Sequence, residues 1–310
     1  MRVLVTGGAG FIGVHLCSAL IDRGDKVRVL DSLTNNYDPA YKLDNLAYLT
    51  SKGRIDFIKG DIRDERALNA ALKDAEVVIH LAGLAGVRES MQHAKPYWDV
   101  NVRGTAALLA RSARTEVRGV VFVSSSSVYG NGALPFSEDA ILLPISPYGE
   151  SKRTAEALVS AFGWSQKRGA VSCRLFSVYG PRQRPDLALR KFATAILRKE
   201  EITVFGDCTR DYTHVSDTVD GLIRAADLAA EGGRGVYNIG RGRSVSTLEL
   251  IALLERCVGR TARVKKTPMQ EGDAKHTLAC IEKAKKELGY CPRTEIEEGV
   301  ASFVRWLTGR

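Results

Sequence analysis

Three glycines at fixed spacing, set between an apolar stretch and an amphipathic one, constrain this chain more than any other feature. Arg2-Val3-Leu4-Val5-Thr6 is a short apolar run that leads straight into Gly7-Gly8-Ala9-Gly10-Phe11-Ile12-Gly13. Val14, Leu16, Cys17, Leu20 and Ile21 then recur with helical spacing. Glycines at 7, 10 and 13 permit a tight turn, let backbone N–H groups approach a pyrophosphate, and let the helix pack close to the strand. The helix N-terminus adds partial positive charge for that phosphate. The next apolar run, Lys26-Val27-Arg28-Val29-Leu30, ends on Asp31. A carboxylate about twenty residues beyond the glycines can accept hydrogen bonds from both ribose hydroxyls of NAD and repels the 2′-phosphate of NADP. The expected cofactor is NAD, on Gly7, Gly10, Phe11, Ile12, Gly13 and Asp31.

The alternation continues. Ile55 to Gly60 reads as a strand with Asp61 and Ile62 at its end, where an adenine could lie, and Arg66 to Leu72 reads as a helix. Val77-Val78-Ile79-His80-Leu81 is a fourth strand ending in Ala82-Gly83, small residues that leave room for a cofactor beside Leu81. Tyr97 to Arg111 reads as a helix, with Asn101 near its start as a candidate for ordering the site, and Val120 to Ser124 as the fifth strand. His80 reads as a packed strand-end residue. Strands alternating with helices predict an α/β fold, a Rossmann-type doubly wound parallel sheet with ligands at the carboxyl ends of its strands. A helix to Gln166 and a strand at Val171 to Phe176 extend the pattern, which Gly180, Pro181 and Pro185 then break. A helix is expected from Leu187 to Arg198, short strands near Ile202 to Phe205, and a further sheet strand from Val236 to Gly240. Helices follow at Thr247 to Val258, Ile281 to Leu288 and Ile296 to Leu307. The expected division is a cofactor domain over 1–176, with a return segment near 212–240, and a smaller carboxyl-terminal α/β substrate-binding lobe over 177–310.

Composition narrows the function classes. The 310 residues, 45% hydrophobic and 26% charged, are those of an ordinary globular protein with ample core. No apolar run approaches the roughly 20 residues that span a bilayer, and the amino terminus enters structure without a signal-peptide pattern, so a cytoplasmic protein is expected. Six scattered cysteines without a Cys-x-x-Cys pair argue against zinc and against a disulfide scaffold. The formal charge of +9 is spread along the chain without a basic run, which suits an anionic small substrate better than nucleic acid.

Against that frame Val121 to Lys152 carries the chemistry. Tyr148 and Lys152 stand four apart at a helix start and share one face. An ammonium so close favours the phenolate and is expected to lower the Tyr148 pKa towards that of a general base. Ser125, in the cluster Ser124 to Ser127, can bridge the phenol and a substrate oxygen.

These motifs together resemble the extended short-chain dehydrogenase/reductases, specifically the NAD-dependent nucleotide-sugar epimerases and dehydratases, over nearly the whole chain. Within that family the 4,6-dehydratases and the decarboxylases carry carboxylates just before Val128-Tyr129-Gly130, where this chain has serines; the resemblance therefore implies plain 4-epimerisation. Asn36-Tyr37-Asp38-Pro39-Ala40-Tyr41-Lys42, Ala85-Gly86-Val87-Arg88-Glu89-Ser90 and Tyr179 to Ala188 are similar to stretches of the UDP-glucuronate 4-epimerases. The resemblance implies that Arg184 and Ser177 meet the sugar carboxylate, Arg210 the diphosphate and Asp273 the uridine ribose, with Arg88, Ser125 and Ser126 also at the substrate. The segment Met269-Gln270-Glu271-Gly272-Asp273 departs from the family's usual Arg-Pro-Gly-Asp or Gln-Pro-Gly-Asp, which leaves the base contact open. It further implies a homodimer through the helices after Asp99 and after Tyr148. A UDP-glucose/UDP-galactose 4-epimerase, a UDP-glucuronate decarboxylase or dehydratase, and a non-catalytic NAD-binding regulator remain as alternatives at this stage.

Overall fold

A computed structural model describes residues 1–269, 272 and 274–309. Its first half alternates strand and helix: β1 (Arg2–Thr6), α1 (Phe11–Asp22), β2 (Lys26–Asp31), α2 (Ala40–Lys52), β3 (Ile55–Lys59), α3 (Glu65–Leu72) and β4 (Val77–His80). Two short helices, α4 (Val87–Gln92) and α5 (Ala94–Tyr97), lead into a π-helical turn over Trp98–Gly104 and on into α6 (Thr105–Ser112). There follow β5 (Gly119–Ser125), α7 (Pro147–Gln166) and β6 (Gly169–Leu175). The second half contains β7 (Ser177–Tyr179), α8 (Ala188–Arg198), β8 (Glu201–Phe205), β9 (Thr209–His214), α9 (Val215–Ala230), β10 (Arg234–Ile239), β11 (Ser244–Ser246), α10 (Thr247–Val258), β12 (Arg263–Thr267), α11 (Glu282–Leu288) and α12 (Ile296–Thr308).

Seven parallel strands form the main sheet in the order β10-β6-β5-β4-β1-β2-β3. The order reverses between β1 and β4, and that is where a doubly wound sheet opens a crevice at its carboxyl edge. Alternate residues of each strand bury on opposite faces. Val3, Val5, Val27, Val29, Val121 and Val123 join one core with α1 and α9; Leu4, Leu30, Val78, Val120 and Phe122 join the other with α3, α6 and α7. The strand at 234–239 returns from the second half to pair with β6. A separate core of Leu189, Ile196, Ile202, Val204, Leu250, Leu254, Val300 and Phe303 lies beneath α8, α10 and α12 and their small sheets, β11-β9-β7 and β12-β8. Among the described residues no helix is long and apolar enough to cross a membrane.

Several elements depart from the sequence reading. The helix at 40–52, the helix at 215–230 and the strand at 263–267 were not anticipated, and the segment expected as one regular helix from Tyr97 to Arg111 contains the π turn. Of the apolar residues on the helices through which a homodimer is expected, Leu108 and Leu109 are buried inside the chain's own core, whereas Leu158 is half-buried.

Beneath the carboxyl edge lies a buried polar network. Arg174 of β6 donates to both carboxylate oxygens of Glu156 on α7, from Nε at 3.1 and 3.2 Å and from Nη2 at 2.8 Å. The Ser124 hydroxyl also donates to Glu156, and Arg174 Nη1 donates to the Tyr129 hydroxyl at 2.9 Å. Tyr129 in turn donates to Asn238 Oδ1 at 2.7 Å, which ties the returning β10 to the middle of the sheet.

Candidate active site

The crevice begins at the glycine turn. Gly7 takes φ +74°, and a Cβ there would stand 2.8 Å from the Ala82 nitrogen. A Cβ at Gly13 would run into the Gly7 carbonyl, so α1 can sit this close to β1 only without a side chain. No side chain caps α1 and its first turn carries no acidic residue, which leaves its N-terminal N–H groups and dipole to an anion. Asp31 closes β2 and is buried; its Oδ2 accepts from the Ala9 nitrogen at 3.1 Å and its Oδ1 from the Leu33 nitrogen at 2.8 Å, with the Lys42 ammonium 4.0 Å away. Gly10, Phe11, Ile12, Asp61, Ile62, Leu81, Ala82 and Gly83 line the same cavity. The Asp61 carboxylate is bound by the Arg63 guanidinium at 2.9 and 2.7 Å, which holds it below its ordinary pKa. A glycine cradle, an uncapped helix N-terminus and a strand-end carboxylate together fit NAD.

The catalytic candidates converge at the far end of this cavity. Ser146 caps α7 by accepting from the Gly149 nitrogen at 3.1 Å, and Pro147 occupies the first turn, so the helix start and Tyr148 on it are fixed. The Ser125 hydroxyl at the end of β5 stands beside the Tyr148 phenol and pulls its pKa down, while donating to the Ser127 hydroxyl at 3.1 Å. Lys152, one turn further, is buried and donates from Nζ to the Val123 carbonyl at 2.9 Å, 4.9 Å from the centroid of the Phe122 ring. One expectation is corrected here. Burial pushes the Tyr148 phenol up, against the opposing pull of the Ser125 hydroxyl and the Arg184 charge; Lys152 is directed at the backbone of β5 and does not produce the predicted depression.

Asn101 is buried on the π turn. Its amide holds the Leu84 nitrogen (2.8 Å) and carbonyl (3.0 Å) and donates to the Ser151 hydroxyl (3.0 Å). It therefore orders the loop after β4 against α7 rather than capping a helix. His80 supports that turn. Thr105 donates its one hydroxyl proton to the Asn101 carbonyl at 2.6 Å, so His80 Nε2 must be the donor to Thr105 at 3.0 Å and Nδ1 the acceptor from Thr6 at 2.7 Å. Burial pushes the imidazole down to about 3, which keeps it neutral.

Burial also pushes Lys152 down to about 8 from an ordinary 10.5. Its folded value lies below its unfolded one, so the full cost of its charge is present below pH 8 and disappears above 10.5. A shift of this size is worth about 3 kcal/mol. Lys152→Met is therefore expected to raise stability in urea unfolding at pH 7 by about 1–3 kcal/mol, after the lost bond to Val123 is counted, with the gain shrinking towards pH 10.

Ser177 on β7 and Arg184 line the same cavity as Tyr148. The Arg184 side chain is 17% exposed and forks onto Asp186, with Nε to Oδ1 at 3.0 Å and Nη2 to Oδ2 at 2.6 Å. Its ζ carbon lies 5.2 Å from the centroid of the Tyr37 ring. Ser126 and Arg88 line the adjoining cleft, Arg88 4.7 Å over the Phe205 ring. Arg210 reaches both cavities and donates to the carbonyls of Thr209 (3.0 Å) and Lys275 (3.1 Å). Asp273 lies outside the described residues. Tyr37, Lys42 and Asp186, which surround Arg184, are absent from the candidates read in the sequence, although all three fall in stretches singled out there. Among the described residues no group of His, Cys, Asp and Glu is arranged to hold a metal.

Comparison with known proteins agrees with this geometry. Residues 3–240 match the sequence profile described as the NAD dependent epimerase/dehydratase family. A probable UDP-glucuronate 4-epimerase of Rhizobium meliloti is 35% identical over 329 residues, covering 99% of this chain and 96% of its own. The Bacillus cereus UDP-glucuronic acid 4-epimerase, solved in complex with UDP-glucuronic acid and NAD, superposes with a TM-score of 0.94 at 34% identity, covering 100% of this chain and 99% of its own. A UDP-glucose 4-epimerase of Thermotoga maritima, solved with UDP-glucose, gives 0.90 at 32% identity over 100% and 99% of the two chains.

Proposed function

This chain belongs to the NAD dependent epimerase/dehydratase family, and from that premise we propose that it interconverts UDP-glucuronate and UDP-galacturonate through a 4-keto sugar. The parallel sheet holds NAD, and the segment after Ser177 holds the nucleotide sugar. NAD, held by the glycine turn and Asp31, would supply the hydride acceptor and donor that oxidation and re-reduction at C4 need. Tyr148 takes the proton of the C4 hydroxyl through the Ser125 hydroxyl and later gives it back. Lys152, fixed by Val123, keeps a positive charge one helical turn below the phenol. The same reading includes a cytosolic homodimer paired across α6 and α7, which light scattering of the purified protein would check.

The observation that carries the uronate is Arg184. Its Nε and Nη2 edge is taken by Asp186, and among the described residues Nη1 makes no hydrogen bond, so a second edge of the guanidinium remains to grip a carboxylate. The 4-keto form of a uronic acid is a β-keto acid, which loses CO2 when the breaking bond aligns with the carbonyl π system. Arg184 and the Ser177 hydroxyl hold the carboxylate out of that alignment. Elimination is disfavoured because Glu156, the carboxylate that touches the serine cluster, is committed to Arg174 and Ser124.

Arg184→Ala tests the reading. Its kcat/KM on UDP-glucuronate is expected to fall about 100-fold, the loss of one charge-assisted bidentate contact, and its kcat/KM on UDP-glucose to change less than about threefold. Equal losses on both substrates, or CO2 release as the main reaction of the wild type, would reject it.

A further inference from the structure

Arg184 is held on two sides by groups to which the reaction assigns no part. Asp186 takes one edge. Tyr37 lies under the guanidinium at 5.2 Å, from a loop far away in the chain. That ring is itself anchored. The Lys42 ammonium lies 5.1 Å from the same ring centroid and donates to the Thr34 carbonyl at 3.1 Å and the Thr34 hydroxyl at 2.9 Å. Lys42 also stands 4.0 Å from Asp31, the carboxylate that closes β2. A continuous line of charge and ring contacts, Asp31–Lys42–Tyr37–Arg184–Asp186, thus runs from the cofactor end of the cavity to the sugar end. Burial pushes the Tyr37 hydroxyl up to about 12, so the ring stays uncharged at neutral pH and its face stays attractive to cations.

A long arginine side chain that must present one edge to a carboxylate gains more from a fixed orientation than from additional charge. Asp186 alone constrains one edge and leaves the plane free to swing about that pair. A ring beneath the guanidinium fixes the plane. We propose that Tyr37 is the positioning residue that sets the site's preference for an anionic sugar: it seats Arg184 flat, with the unused edge towards the substrate. The inference rests on the uronate reading above and adds the residue on which its selectivity depends.

The test is a double-mutant cycle on the NAD-loaded enzyme, with kcat and KM measured for UDP-glucuronate and UDP-glucose. Tyr37→Leu is expected to lower kcat/KM on the uronate about tenfold and to leave the neutral hexose within about twofold. Tyr37→Phe, which keeps the ring, should retain the wild-type preference. In an Arg184→Ala background, Tyr37→Leu should not change the substrate ratio further. Tyr37→Leu with an unchanged ratio, or with equal losses on both sugars, overturns the inference while the Arg184 result leaves the uronate reading standing. So does a Tyr37→Phe variant that loses the preference. A wild type without activity on the uronate overturns both.

Discussion

Tyr148→Phe is expected to lower kcat on UDP-glucuronate by about 1,000-fold, with KM changed little. A positioned proton-transfer group contributes about 100- to 10,000-fold, and removal of a hydroxyl from a half-buried ring leaves the surrounding packing intact. The pH dependence identifies the lost group. On the proposed mechanism the phenolate is the base, and burial raises the phenol's pKa, so wild-type kcat/KM should climb as pH rises through the alkaline range. The residual activity of the variant should lack that climb. Ser125 and Arg184 both pull the phenol's pKa down against that burial. Product formation followed by separation of the two UDP-sugars is a sufficient assay. A variant that keeps a tenth or more of the wild-type rate would remove Tyr148 from the role of base.

The second large effect concerns stability. Arg174→Met leaves the Glu156 carboxylate buried between α7 and the sheet, with the Ser124 hydroxyl as its remaining recorded donor. Breaking one side of a buried ion pair costs about 3–5 kcal/mol, because the partner's charge stays out of water without compensation. The midpoint of urea unfolding should fall accordingly. Replacing both members, Arg174→Met with Glu156→Gln, should recover most of the loss, since the cost lies in the orphaned charge rather than in the absent bond. A single variant as stable as the wild type would show that Glu156 reaches water once Arg174 is gone and that the network holds the sheet by packing alone.

The cofactor half was legible because each of its signals is local. The glycine turn, Asp31 at a strand end and the Tyr148–Lys152 spacing each lie within one strand–turn–helix unit, where periodicity and spacing translate directly into geometry. The helix at 40–52 escaped because its buried face consists of Lys42, Asn45, Leu46 and Leu49, half of it polar. The helix at 215–230 buries Gly221, Ala225, Ala226 and Ala229 beside larger residues, which dilutes its apolar stripe. The π turn leaves no periodic mark, since one extra residue per turn resembles a small slip in helical phase. In the site, Ser125, Tyr148 and Asn101 were legible as types at an edge, whereas the approach of Tyr37 to Arg184 joins two loops far apart in the chain. The direction of the Tyr148 shift was misjudged for a related reason: spacing along a helix shows that Lys152 is near, and only the fold shows that its ammonium is bound to Val123.

The strand at 234–239 has a consequence for how such an enzyme can be taken apart. It pairs with β6 over six residues and is pinned to the interior through Asn238 and Tyr129. A fragment ending at Phe176 would expose the whole flank of β6 as an open template for another chain, and would lose the helix that covers Val121, Val123 and Val171. The two halves are therefore interleaved rather than hinged in series. Exchanging the second half between relatives while keeping the returning segment requires three splice points, one before Ser177 and one on each side of the helix and strand at 215–239, and a chimera joined at a single point would inherit an unfinished sheet.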